Sequence, residues 1–436
     1  MTSTDLPDWN HLPPDHRDRT ILAEEVHARP PEAQETPSRT SYIAVLIDPA
    51  ARDQERLHLT TLCTAHGVAS PAPSANHFTA DLGTLRIKWE RHGEFSGYTF
   101  VTPGRSPTPF SDPPVNRLPA GWLAAVPGRT IFAAHVKMLA FADVTLNTDL
   151  LAAHFGSNVV VGSDIGNGAG QAYTDFKING RGFGRFLVLN RSFTPRQAGR
   201  MLQRLFEIET YRMMALLALP LARDYAPQVA AMERTLADLT KKMAQPGADD
   251  DAMLRELTQL AAGVHKSVSA TQFRFNAARA YHELVKTRIS ELRETRLPGL
   301  QPIEEFMQRR FSPAVATCVS LAQRLQQLSE RVSQASSLLS TRVDIVREHQ
   351  NQMLLASMNR RAALQFRLQR TVEGLSVVAI VYYLAGLTGY VANALKASKV
   401  AVDPDLVVGT AIPLLIIVCV VTLARAHRQL KRLSYR

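Results

Sequence analysis

"GLSVVAIVYYLAGLTGYVANAL", residues 374–395, decides the architecture of this chain. It holds no charged residue, and about 20 apolar residues suffice to cross the hydrocarbon core of a bilayer. A second such run, "LVVGTAIPLLIIVCVVTLA", occupies residues 406–424. Helices this long and apolar on every face are membrane spans or deeply buried core helices, and the basic clusters at their ends favour spans. Arg360, Arg361, Arg367 and Arg370 precede the first run, and Arg425, Arg428, Lys431 and Arg432 follow the second. The connecting loop "KASKVAVDPD" carries no net charge. The positive-inside rule therefore predicts both termini in the cytoplasm, with this basic collar against lipid headgroups.

The spans carry few polar groups. Tyr382, Gly386, Gly389 and Asn393 recur at helical spacing, with Tyr390 beside them. Small residues let spans approach closely, so this stripe reads either as a packing seam or as a pore-facing line. No charged residue lies deep in either span, which argues against a proton relay at mid-membrane.

The remaining charge is unremarkable. Of the net charge of +11 over 436 residues, residues 360–436 carry eleven positive and three negative groups, a net +8. The preceding part is thus nearly neutral, without the clustered Lys/Arg face or basic–aromatic interleaving of a nucleic-acid binder. Three cysteines, Cys63, Cys318 and Cys419, stand far apart, which excludes finger-type zinc spacing and fits a reducing compartment. The first residues, "MTSTDLPDWNHLPPDHRDRT", have no apolar core of a secretory signal.

Six segments follow. Residues 1–40 read as a Pro-rich extended arm, 41–192 as an α/β domain with a mixed sheet, and 193–312 as a helical region. Residues 313–373 form a stalk helix, 374–424 a transmembrane hairpin and 425–436 a basic tail. Within the α/β domain, "SYIAVLID", "TLRIKWERH", "GYTFVT", "RTIFAAHVKML", "NVVVGSDI", "QAYTDFKI" and "GRFLVLN" are strand candidates. The Gly-rich "GSDIGNGAGQAYTDF" is followed by a strand, where a phosphate loop needs a helix, so it reads as a hairpin turn. Asp164 and Asp175 flank the turn and could bind a divalent cation. Thr194 and Pro195 form an N-cap and first turn of a helix. Cys318, Leu321, Leu325, Leu328, Val332, Ala335 and Leu339 form a heptad-like seam that needs either a partner copy or the preceding helices.

"AEEVHARP", "AYTDFKINGRGFGRF", "RLFEIETYRMMALLALPLAR" and "FMQRRFSPAVATC", with the terminal double span, resemble a bacterial family of uncharacterised membrane-anchored proteins, catalogued as a domain of unknown function. The resemblance covers nearly the whole chain and implies a bacterial inner-membrane location, but no activity. The layout is also similar to CorA-type magnesium channels, which implies a homo-oligomer and divalent-cation transport. Gly389-Tyr390-Val391 stands where that family carries Gly-Met-Asn.

Catalysis has little support. No GxSxG or HExxH motif is present, and the 13 His are scattered. Near the start, Glu25, His27, Arg29 and Pro30 read as a docking motif, in which charge-assisted hydrogen bonds seat a Pro-stiffened arm. The expectation is therefore a membrane-anchored, oligomeric non-enzyme with no identified cofactor other than a divalent cation. Two functions compete: a divergent CorA-like cation transporter, and a non-conducting scaffold or regulator that binds a protein partner or ligand through its cytoplasmic part.

Overall fold

A computed structural model describes residues 13–20, 22, 23, 30–397 and 403–433, with 426–433 by backbone alone. The chain divides into two compact units, Met1–Ser336 and Ser337–Arg436.

The first unit is built on a nine-stranded sheet. In chain order the strands are β1 (Ser38–Leu46), β2 (His77–Asp81), β3 (Arg86–Arg91), β4 (Phe95–Pro103), β5 (Arg129–Ala140), β6 (Val161–Ile165), β7 (Gly170–Thr174), β8 (Gly184–Asn190) and β9 (Thr295–Arg296). Their spatial order is β2-β3-β4-β1-β5-β8-β7-β6-β9. All neighbours are antiparallel except β5 and β8, which makes the sheet mixed as the sequence predicts. The helices are α1 (Arg52–Ala65), α2 (Thr148–Phe155), α3 (Pro195–Leu216), α4 (Ala218–Met243), α5 (Asp250–Leu292), α6 (Ile303–Arg310), α7 (Ser312–Ala397) and α8 (Pro404–Leu433). α4 carries Pro227 inside it.

Successive strand residues point to opposite faces. One face of β1 carries Tyr42, whose ring stacks on Phe206 of α3 at 4.5 Å. The other carries Ile43 and Val45, which join Leu59, Leu62 and Cys63 of α1 in one apolar cluster with Trp89, Tyr98, Phe100, Trp122 and Ala133. A second cluster on this face gathers Leu139, Tyr173, Leu187 and Leu189 with Phe155 of α2 and Leu297. The fully buried Glu55 fixes α1 to the sheet by accepting hydrogen bonds from Trp89 Nε1 and Tyr98 OH, both at 2.8 Å. A buried carboxylate is tolerable when it is hydrogen-bonded in this way.

The Gly-rich stretch is the hairpin turn between β6 and β7. Gly166, Asn167 and Gly168 all have positive φ. The Phe193 ring lies so close that a Cβ at Gly166 or Gly170 would fall 2.5 or 2.4 Å from it. The glycines therefore serve packing and chain reversal. At the C-terminal side, Thr194 caps α3 with Pro195 at its first position, and Gln197 completes a capping box. Along α7, Cys318, Leu321, Leu325, Leu328 and Val332 are buried by the chain's own helices, and Arg324 pairs with Glu233 of α4 at 2.6 Å.

The arm is shorter than the sequence predicts, because residues 38–40 already belong to β1. Residues 31–37 lie along α3 and the sheet edge. Gln34 N donates to Pro195 O at 2.9 Å, Asn190 Nδ2 to Thr36 Oγ1 at 2.8 Å, and Arg86 pairs with Glu32 at 3.0 Å. Gly199 makes this crossing sterically feasible, since a Cβ there would sit 1.9 Å from Glu32 O. Gly199→Ala is expected to destabilise the protein by roughly 1–3 kcal/mol, the usual cost of overpacking, and to expose residues 31–37 to protease. Chemical denaturation and limited proteolysis of the variant read both effects, and wild-type behaviour in both would refute the crossing.

Candidate functional site: a polar belt and an apolar cleft on one sheet face

β5 runs Ala133, His135, Lys137, Leu139 along the face that carries both apolar clusters. Ala133 belongs to the first cluster and Leu139 to the second, so His135 and Lys137 are placed between them. Strand register extends this polar belt sideways. Ser41 of β1 and Arg185 of β8 stand opposite His135, while Arg39 of β1 stands opposite Lys137 and next to Thr102 of β4. Ser41, Arg39, Thr102, His135 and Lys137 are all buried.

His135 shares a 2.9 Å hydrogen bond with Ser41 Oγ through Nδ1, and its ring stacks on Phe183 at 4.0 Å. Burial, reinforced by Arg181, pushes its pKa down to about 4, so the ring is neutral near pH 7. Ser41 is fully buried, which makes the pair an internal hydrogen bond of the sheet and not a nucleophile with its base. Burial also lowers the pKa of Lys137, with Arg105 and Arg39 acting in the same direction.

The arginines of the belt are partly matched by carboxylates. Arg39 pairs with Asp112 and donates to Pro103 O at 3.2 Å, and Arg117 reaches Asp112 at the same distance. Arg105 pairs with Asp143, and Arg185 pairs with Asp175 and donates to His154 O at 3.0 Å. Asp164 lies 3.8 Å from Arg191. The two aspartates predicted to flank a cation site are thus each engaged by an arginine. Among the described residues no group of three or more His, Cys, Asp or Glu converges as a metal site.

Beside the belt lies a cleft of about 930 Å³. Its floor is Ile43, Val45 and Ala133, and its walls come from Leu118, Leu123 and Val126 on one side and Ile178 and Phe183 on the other. Among the described residues, Arg181 is the only charged one lining it. A large concave site, mainly apolar and with few oriented polar groups, is the usual form of a small-molecule pocket. Sequence reading does not single out these residues, because the walls come from loops without periodicity.

In the second unit, α7 and α8 are long and apolar enough to cross a membrane. Their apolar side chains are largely exposed in the chain, among them Leu375, Val378, Leu414 and Ile417. The packed side of the first span carries Val381, Ala385, Thr388 and Ala392. This is one residue away from the expected stripe. Tyr382, Gly386, Tyr390 and Asn393 are exposed, while Gly389 is half-buried, with room for a Cβ 3.4 Å from Val408 Cγ2 of α8. Arg360, Arg361, Arg367, Arg370 and Arg425 are exposed on their helices. Arg428, Lys431 and Arg432 continue α8. Of the docking motif, Pro30 is exposed, and Glu25, His27 and Arg29 lie outside the described residues, as does most of the loop between the spans.

The chain belongs to the DUF3422 family, described as a protein of unknown function, whose model matches residues 14–430. No curated protein and no solved structure matches it, so neither comparison supports the likeness to CorA-type magnesium channels.

His135 makes stability pH-dependent. Its folded pKa of about 4 lies below the roughly 6.5 of an unfolded histidine, so between these values the unfolded chain binds more protons. Its contribution is full above about pH 6.5 and is lost as pH falls towards 4, about 3 kcal/mol in all. Denaturation midpoints across this range should fall with acidification in the wild type and fall less in His135→Gln. Parallel profiles would contradict the assignment.

Proposed function

We propose that the protein is a non-conducting, membrane-anchored binding protein whose soluble unit takes up an amphipathic ligand with one negative charge. The observation that carries this reading is the cleft, with its apolar floor and walls and, among the described residues, one cation, Arg181. An acyl chain gains by leaving water against Ile43, Val45 and Phe183, and an anionic head meets the guanidinium in a charge-assisted hydrogen bond. The two apolar helices supply the anchor, and the basic collar supports an orientation with both termini in the cytoplasm. The position of Gly389 against Val408 supports anchoring over CorA-like cation transport, because it commits the small residue to helix packing.

Decanoate added to the soluble fragment 1–336 should change tryptophan fluorescence saturably. Arg181→Gln should weaken decanoate about tenfold while leaving decanol, which lacks the charge, nearly unchanged. Absence of saturable binding by either compound would refute the reading.

The proposal includes a homo-oligomer. Leu338, Ile345, Met353, Leu354 and Leu364 of α7 are exposed in the single chain, more apolar surface than an isolated helix leaves in water. Cross-linking in native membranes should yield a discrete multimer, and a ladder ending at the monomer would exclude this part.

A further inference from the structure

The belt holds a group that the cleft does not use. Lys137 is only 8% exposed, yet no hydrogen bond or ion pair involves its ammonium among the described residues. The side-chain stem is covered, and among the described residues no carboxylate is paired with the ammonium at its end. Its neighbour on β1 is Arg39, which pairs with Asp112 through one end of its guanidinium while its Nε is buried without a partner, as is Thr102 Oγ1 on the next strand. On the other side, His154 Nε2 and Arg185 Nε are likewise unpartnered. The three carboxylates that engage this region, Asp112, Asp143 and Asp175, all go to arginines.

The cover is also defined. The 104–112 loop contributes Asp112, tied to Arg39, and Phe110, whose ring meets His154 edge-on at 5.6 Å. Phe110 has φ of 58°, an uncommon conformation for a bulky side chain.

We propose that Lys137, Arg39 and Thr102 form a binding site for a phosphate group beneath the 104–112 loop. Opposed residues on neighbouring strands stand about 5 Å apart, a spacing that lets one tetrahedral oxyanion receive hydrogen bonds from both. The ammonium offers three N–H donors, Arg39 Nε–H one and Thr102 O–H one. A phosphate has the acceptor oxygens for this set, and its negative charge meets the ammonium of Lys137 beside the free Nε edge of Arg39, whose other end is held by Asp112. A carboxylate has fewer acceptor oxygens and half the charge. The site does not depend on occupancy of the cleft.

Full-length protein in detergent is titrated calorimetrically with inorganic phosphate and, separately, with glycerol 3-phosphate. Saturable binding of one phosphate group per chain is expected. Binding of both identifies the bare group as sufficient, and binding of glycerol 3-phosphate alone identifies a monoester; either supports the site. Lys137→Met should weaken the bound species about tenfold or more. The same variant should melt at a higher temperature than ligand-free wild type, because the repulsion of Lys137 by Arg105 and Arg39 is gone. Phosphate should raise the wild-type melting temperature and leave that of the variant unchanged. If Lys137→Met fails to fold, Thr102→Val is read in the same titration. Failure of wild-type protein to bind either phosphate, or equal affinity in wild type and variant, would overturn the proposal.

Discussion

The first unit depends on the pairing of β5. This strand is antiparallel to β1 on one side and parallel to β8 on the other, so it joins the β2–β3–β4–β1 half of the sheet to the β8–β7–β6–β9 half. A slip of one residue would turn its whole pattern over. Val136 and Met138 would then leave the α3 face, and Lys137 would be pressed into it. The register that keeps Ala133 in one apolar cluster and Leu139 in the other also fixes His135 and Lys137 between them. Polar function and apolar packing are therefore set by the same alternation.

The same face also explains why the cleft and the belt are neighbours. The loops that close it, 104–128 and 175–183, bring Leu118 and Leu123 over the apolar part and Asp112 over the cationic part. Phe183 links the two, lining the cleft while stacking on His135. In the second unit the chemistry is simpler. Small and apolar side chains at Val381, Ala385 and Ala392 pack, and the remaining apolar surface is left for lipid or for another copy.

Much of this was legible in the sequence because the signals were local. Charge-free runs bounded by arginines mark the spans, Thr194-Pro195 marks a helix start, and a strand after the Gly-rich stretch marks a hairpin. The heptad-like seam from Cys318 to Leu339 was also visible, although periodicity alone could not say that the chain's own helices bury it from Cys318 to Val332. What sequence could not deliver was long-range. "RTIFAAHVKML" announces a strand, but His135 and Lys137 look like a solvent-facing alternation until loops distant in sequence cover them. β2 offers only Phe78 and Ala80 to its covered side, and the two-residue β9 is too short for any pattern and exists by pairing with β6. The span stripe was displaced by one residue, because small residues at 386 and 389 invite packing on a face that the hairpin only partly uses.

The central claim is that the ligand is held by the soluble sheet and that the spans anchor. Electron cryomicroscopy of the full-length protein in lipid nanodiscs with decanoate tests this most directly. The account predicts density in the cleft beside Arg181 and tightly packed spans without a continuous axial path. An empty cleft, together with a symmetric ring whose first spans line an open central path, would contradict it.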